Sequence, residues 1–118
     1  MSTGTTTELF ADIDRMDAKA FASHLADACV LRFGNADEVV GRDAIEEAIA
    51  GFFNTIKGLS HHIVEQWDVG DTTILQFEST YTRVDDRRVT VPAVTIYRRG
   101  VDLIDDYRIY VDLAPVYA

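Results

Sequence analysis

The histidines are the side chains of this chain best suited to exchanging protons near neutral pH. His61 and His62 are adjacent in a segment with the two-residue alternation of a strand, so only one of them can face the interior. His24 lies far away in a helical segment, and two neighbouring histidines are poorly spaced for binding one metal ion. The sequence therefore predicts no metal site and makes His61 a candidate for proton transfer, the alternative being a hydrogen-bonded framework residue.

Asp112 is the candidate carboxylate at the end of the last strand. In an alternating strand, Asp112 shares a face with Arg108 and Tyr110, and the opposite face, with Tyr107, Ile109 and Val111, is more apolar. The pattern alone therefore favours solvent around Asp112. A carboxylate held in an apolar pocket would instead have its pKa raised by desolvation and could exchange protons near neutral pH.

Other polar candidates lie next to turn residues. Arg83 and Asp85 form an Arg-x-Asp pair beside the turn Asp85-Asp86-Arg87, and Asn35 falls in the turn Gly34-Asn35-Ala36-Asp37. The simpler interpretation is a salt-bridged or surface arginine and ordinary turn residues.

Aromatic side chains in the strands could line a pocket, and a tyrosine could donate to a developing oxyanion. Strand aromatics more often belong to the core. The candidates are Phe33, Trp67, Tyr81, Tyr97 and Tyr110.

The composition excludes several classes of partner. The chain has 118 residues, the size of one domain, and a formal charge of -9, which repels phosphate backbones and anionic lipids. No segment approaches the about 20 apolar residues of a membrane span, and the polar N-terminus is unlike a signal peptide. The expected location is the cytoplasm, with neither nucleic acid nor membrane as partner.

No sequence motif supports a cofactor. The chain lacks a glycine-rich phosphate loop, a nucleophile elbow, a Cys-His pair and a zinc signature. Its single cysteine, Cys29, lies in an apolar run and is interpreted as a buried thiol.

Helical periodicity comes first along the chain. After a tail at residues 1–5, apolar residues recur at helical spacing to Met16, and a short second helix follows with Asp17 as its N-cap. A strand at 29–33 precedes a third helix, which Gly41-Arg42-Asp43 opens and Gly58 ends.

From His61 onward the period changes to that of strands. Four strands are predicted at about 61–69, 72–84, 88–98 and 102–112, and Pro92 is expected at an edge or a bulge. Successive hairpins give an antiparallel meander, so the predicted class is α+β. The long second strand must coil strongly, which leaves a concave side for the helices to cover.

The order of these elements resembles the nuclear-transport-factor-2-like superfamily, especially its SnoaL-like branch. Gly41-Arg42-Asp43-Ala44-Ile45 is similar to the family's opening of the third helix, Gly70-Asp71 to its turn between sheet strands, and the segment 107–112 to its final strand. The resemblance covers about residues 6–117. It implies one domain over 1–118, with a curved antiparallel sheet wrapped around N-terminal helices as a cystatin-like α+β barrel with a conical pocket.

The resemblance also implies functional roles. Ketosteroid isomerases, polyketide cyclases, scytalone dehydratases and limonene-epoxide hydrolases belong to this superfamily, as do members that only bind or assemble. By this likeness Asp112 points into the pocket with His61 and Arg83 as further catalytic residues. Tyr81, Tyr110, Trp67, Phe33 and Asn35 contact the substrate.

Two functions follow as expectations. The first is a cofactor-independent acid–base enzyme, of isomerase, cyclase, dehydratase or epoxide hydrolase type, acting on a small, mostly apolar molecule such as a polyketide, terpenoid or steroid. The second is a non-catalytic domain that binds a small ligand or dimerises. In both cases the resemblance implies a homodimer through the sheet.

Overall fold

The fold consists of four helices and six strands in the residues that the structure describes. The structure, a computed structural model, describes residues 2–118, and side chains from Thr6 onward. The elements are α1 (Ser2–Asp14), α2 (Ala18–Ala22), β1 (Leu25–Phe33), β2 (Val39–Val40), α3 (Arg42–Phe53), β3 (Gly58–Val69), β4 (Thr72–Thr82), β5 (Arg88–Arg99), β6 (Ile104–Val111) and α4 (Ala114–Tyr117).

The helices begin where the sequence places capping signals, with two differences at their ends. The Asp17 side chain accepts a hydrogen bond from the backbone N–H of Ala20, which confirms it as the N-cap of α2. Gly41 precedes α3 with a φ of 100°, a conformation that favours glycine. Helix α1 starts at Ser2, so residues 2–5 are helical rather than a tail, and Met1 lies outside the described residues. Helix α3 ends at Phe53, several residues before Gly58.

The strands form one mixed six-stranded sheet in the order β2-β1-β6-β5-β4-β3. The hairpins from β3 to β6 are antiparallel, as predicted. The prediction of a wholly antiparallel sheet is wrong at one place, because β1 pairs with β6 in parallel. These two strands are separated by most of the chain, so the geometry of consecutive hairpins does not constrain their relative direction. The α+β class is confirmed.

Alternation along the central strands gives the sheet one apolar face. On β4 the buried residues include Leu75, Phe77, Ser79 and Tyr81, each separated by a more exposed residue. The three longer helices cover this inner face, and a bulge between Ile63 and Glu65 interrupts the outermost strand. The covered concave side of the sheet is therefore the only face on which a buried site could form in the part of the chain described.

Two smaller predictions agree with the structure. Pro92 lies just beyond the last β5–β6 pair, Ala93 with Val111, so its missing N–H removes no bond to β6. Cys29 is buried, and burial raises the pKa of its thiol to about 12. The thiol is consequently a core group and not a nucleophile.

Among the described residues, no helix is both long and apolar enough to cross a membrane. The cytoplasmic location stays a prediction.

Candidate functional site

A cavity lies between the inner face of the sheet and the helices, and its volume is about 40 Å³. Sixteen side chains from α1, α2, α3 and all strands except β2 line it. They are Phe10, Ile13, Phe21, Phe33, Ile49, Phe52, Phe53, Leu59, His61, Phe77, Ser79, Tyr81, Ala93, Thr95, Tyr107 and Ile109. The wall is thus apolar apart from a few convergent polar groups, which is the usual composition of a small-molecule site.

Phenylalanine dominates this wall. All six phenylalanines of the chain are lining residues. Several of their rings meet edge to face, as Phe33 does with Phe52 at 4.8 Å between centroids. Such packing surrounds the cavity with apolar rings, and a polar group in apolar surroundings interacts more strongly than one in water.

His61 is the histidine of the wall, and Asp14 holds its ring. The Nδ1 atom of His61 lies 2.5 Å from Oδ1 of Asp14, and the backbone N–H of His61 donates to the other carboxylate oxygen at 3.4 Å. An ionised carboxylate only accepts hydrogen bonds, so Nδ1 carries the proton. The ring nitrogen available to a ligand is then Nε2, which in a neutral imidazole can accept a proton.

Strand alternation and helix packing bring this pair together. On β3, Leu59, His61 and Ile63 face inward, and His62 is exposed. The His61 side chain is only 8% exposed and forms a three-ring cluster with Phe10 at 4.9 Å and Phe77 at 5.1 Å between centroids. The structure therefore selects His61 over His62 as the interior histidine.

Four hydroxyl groups complete the polar part of the wall, on Ser79, Tyr81, Thr95 and Tyr107. Burial raises the pKa of Tyr81, and the neighbouring Ser79 hydroxyl partly offsets this. Burial also raises the pKa of Tyr107. Both phenols remain protonated at neutral pH and can only act as neutral hydrogen-bonding groups.

The structure places Asp112 outside the cavity, so the prediction that it points into the pocket is wrong. Asp112 follows the end of β6, is exposed, and accepts a hydrogen bond from the backbone N–H of Ala114 at 3.0 Å. Tyr107 and Ile109 on the opposite face of β6 are the residues that reach the cavity. Strand β6 therefore turns its more apolar side toward the cavity, as the alternation of its residues indicates.

This placement leads to a prediction for Asp112. Because its carboxylate contacts only solvent and a local turn, Asp112→Asn is expected to change any turnover less than about twofold, far below the effect of a lost acid–base group. Steady-state kinetics of the purified variant would check this. A loss of 100-fold or more, on the scale of about 10²–10⁴ for such groups, would return Asp112 to the mechanism.

Arg83 also lies away from the cavity. Its guanidinium donates to both carboxylate oxygens of Asp85 at 3.2 Å and to the backbone oxygen of Ala118 at 2.7 Å. The backbone N–H of Arg87 and the Arg83 side chain lower the pKa of Asp85. The Arg-x-Asp pair therefore stabilises a turn, and the catalytic prediction for Arg83 is wrong in its location.

The substrate-contact candidates divide between the two faces of the sheet. Phe33 and Tyr81 line the cavity, as predicted. Trp67 and Tyr110 are 44% and 56% exposed on the outer face, and Asn35 is exposed in its turn. Those three predicted contacts with a pocket ligand are therefore not supported.

Neither Asp14 nor Ser79 is predicted from the sequence. Asp14 ends a helix that also carries Glu8 and Asp12, and Asp12 pairs with His24 at 2.7 Å, so nothing in the local pattern distinguishes these carboxylates. Ser79 falls at an inward position of β4, between Phe77 and Tyr81. A polar residue at an apolar position of an alternating strand is the one signal that could have identified it.

A curved mixed sheet covering an apolar cavity, with helices packed on its concave side, defines a pocket-forming α+β domain. The chain belongs to the SnoaL-like domain family, whose model matches residues 6–106. This confirms the resemblance inferred from the sequence. No curated protein matches the chain by sequence.

Solved structures share the fold at low sequence identity. A hypothetical protein with a ketosteroid isomerase-like fold from Catenulispora acidiphila DSM 44928, in complex with trimethylamine, is 18% identical over 94% of this chain and 87% of its own, with a TM-score of 0.86. A putative SnoaL-like polyketide cyclase from Jannaschia sp. CCS1 is 18% identical over 98% and 88%, with a TM-score of 0.84. An LEH-like epoxide hydrolase from M. tuberculosis is 12% identical over 95% and 83%, with a TM-score of 0.78. At these identities the likeness establishes the fold alone.

Proposed function

We propose that this protein is a cofactor-independent acid–base enzyme acting on a small, mostly apolar molecule bound in the cavity. The observation that carries the proposal is the Asp14–His61 pair, in which a carboxylate on α1 holds an imidazole in an aromatic wall. A histidine fixed in one tautomer by a carboxylate is an established arrangement for proton transfer. His61 takes the role that the sequence analysis divided between His61 and Asp112.

The chemistry follows from the environment of His61. Nε2 of His61 accepts a proton from the substrate, and the Asp14 carboxylate stabilises the resulting imidazolium. The neutral hydroxyls of Tyr81, Ser79 and Thr95 are the groups in the wall that can donate to developing negative charge on an oxygen. Isomerisation, cyclisation, dehydration and epoxide opening all begin from such a transfer or its reverse.

The cavity volume limits the substrate. At about 40 Å³ it is much smaller than an apolar cavity of ~150 Å³ that holds benzene. A steroid-like ligand is too large for this cavity, so we propose a compact molecule of a few heavy atoms. The complex of one structural neighbour with trimethylamine supports a ligand of this size.

The test is a panel of compact probes followed by NMR. Deuterium exchange of 2-butanone in D₂O reports proton abstraction, conversion of 3-butenal to 2-butenal reports isomerisation, and hydration of propylene oxide reports epoxide opening. The wild-type protein is expected to accelerate at least one reaction, and the His61→Gln variant is not. Equal rates with and without wild-type protein on all three probes would contradict the proposal.

A second candidate is a binding domain without catalysis. It is favoured by the small volume of the cavity and by the exclusion of Asp112 and Arg83 from it. In that case compact ligands stabilise the protein against heat by a free energy that rises with the logarithm of their concentration above the dissociation constant, and none of them is turned over. The same NMR samples distinguish the two functions, since binding shifts protein resonances whether or not the probe reacts.

We also propose that the chain forms a homodimer through the outer face of the sheet. Trp67, Ile74 and Ile96 are cross-strand neighbours in one row there, which ends at an arginine, and Val94 and Tyr110 are neighbours in the next row, which also holds a glutamine. Exposed apolar side chains bordered by polar ones mark a candidate interaction site. A second copy can satisfy it because a two-fold axis pairs the same patch on both subunits.

Trp67→Glu is expected to convert this dimer to monomer, because two carboxylates would be buried against each other near the two-fold axis. Sedimentation equilibrium measures the molecular mass. Val101→Glu, on a loop residue that is 97% exposed, is the matched control and should leave the mass unchanged. A wild-type protein that sediments as a monomer would contradict the dimer.

A further inference from the structure

We infer that Ser79 is the group by which the cavity recognises one carbonyl oxygen on an otherwise apolar ligand. This assigns a specificity-determining residue and narrows the ligand class to compact carbonyl compounds. The inference rests on the proposed function only in using the same cavity, because it concerns binding and requires no turnover.

The Ser79 hydroxyl is buried and lacks a regular hydrogen bond. Ser79 is 1% exposed, and its Oγ makes no hydrogen bond of normal geometry among the residues that the structure describes, although the Tyr81 hydroxyl is close enough to influence it. Buried hydroxyl groups almost always have a partner, since leaving one unpaired costs free energy. Ser79 Oγ is the single side-chain atom of this kind found in the described part of the chain. An acceptor on a ligand in the cavity would satisfy it.

Ser79 lies next to the candidate proton-transfer residue. On the β3–β4 register Ser79 lies directly opposite His61, and both side chains line the cavity. Directly opposed residues have their Cβ atoms about 4.5–5.5 Å apart. A ligand whose oxygen accepts a bond from Ser79 therefore has its adjoining carbon atoms beside the imidazole of His61.

The surroundings of Ser79 are mostly apolar. On the inner face of β4 it lies between Phe77 and Tyr81, and its partner on β5 is Val91. The wall holds three other hydroxyl groups, but Ser79 Oγ is the buried one that lacks a hydrogen bond of normal geometry, so a ligand without an acceptor beside it leaves it unpaired. A carbonyl oxygen fits this requirement and adds no donor that would itself need a partner.

The experiment compares two probes of nearly identical shape, 2-butanone and 2-methyl-1-butene, which differ in C=O against C=CH₂. Dissociation constants are measured by NMR titration of the wild-type protein and of Ser79→Ala. The ratio of ketone to alkene affinity is expected to fall by about tenfold in Ser79→Ala, the factor for a hydrogen bond of about 1.4 kcal/mol. Ser60→Ala, an exposed serine on β3, is the matched control and should not alter the ratio.

The thermal unfolding midpoint of the Ser79→Ala variant provides a second measurement. It should fall if the role of Ser79 is purely structural. Removing an unpaired buried hydroxyl is expected to leave the midpoint unchanged or raised. A clear fall in the Ser79→Ala midpoint would show an internal partner and overturn the inference, as would an unchanged affinity ratio or a wild-type protein that binds neither probe. Failure of catalysis alone, with the ratio behaving as expected, would contradict the proposed function and leave this inference standing.

Discussion

Replacing His61 with glutamine is expected to lower kcat by about 10²–10⁴-fold on whichever compact probe the wild-type protein turns over. Glutamine retains a polar side chain of similar length but has no group that titrates near neutral pH. Among the residues that the structure describes, His61 is the only histidine that lines the cavity, so no other imidazole there can take its place. The measurement is the kcat of the purified variant, with circular dichroism to show that it is folded.

The chain provides a matched control at the next residue. His62→Gln makes the same change on the exposed face of β3 and should keep full activity. If both variants are equally active, His61 is not the proton-transfer group. If both are equally impaired, the effect is on the strand and not on the chemistry.

Asp14→Asn separates positioning from proton transfer. Asparagine cannot stabilise the imidazolium, so kcat should fall. KM should change little because Asp14 does not line the cavity. Asp12→Asn, which alters the His24 pair instead, is the control. A kcat equal to that of wild type, or a fall in kcat matched by Asp12→Asn, would contradict this role for Asp14.

Phe10→Ala is expected to cost about 3–5 kcal/mol of unfolding free energy, the range measured for removing a buried phenylalanine ring. The ring is 5% exposed and contacts both His61 and Phe77, so it fastens α1 to the inner face of the sheet. For a domain with a total stability of about 5–15 kcal/mol this is a large fraction. Urea unfolding at constant m-value measures the loss.

Phe10→Leu is the companion variant for this measurement. Leucine retains most of the apolar volume, so the loss should stay below about 2 kcal/mol. A similar small loss for Phe10→Ala would mean that α1 contributes little to the fold. In that case α1 would not close the cavity firmly on its side.

In β6 the local alternation of residues is enough to predict which side chains face inward. Alternation alone places Asp112 in solvent and Tyr107 and Ile109 inside, and the structure agrees. Analogy with relatives reversed that assignment and was wrong. Family membership therefore predicts the backbone of this chain better than the direction of one particular side chain.

The pairing of β1 with β6 shows what the local sequence pattern does not predict. Three hairpins fixed the order β3 to β6 from local turn signals such as Gly70-Asp71, where Gly70 has a φ of 61°. The parallel pairing of β1 with β6 has no local signal, because its partners meet only after α3 and the whole meander have folded between them.

The amino-acid sequence by itself determined the α+β class, the openings of α2 and α3 and the hairpins, because each of these depends on contacts between near neighbours. Only the tertiary structure decided which polar groups meet. Asp14 reaches His61 across 47 positions and Ser79 faces His61 across a strand pair, and both contacts depend on packing and register. The fold of this domain is encoded locally, whereas its candidate site exists only where distant segments pack together.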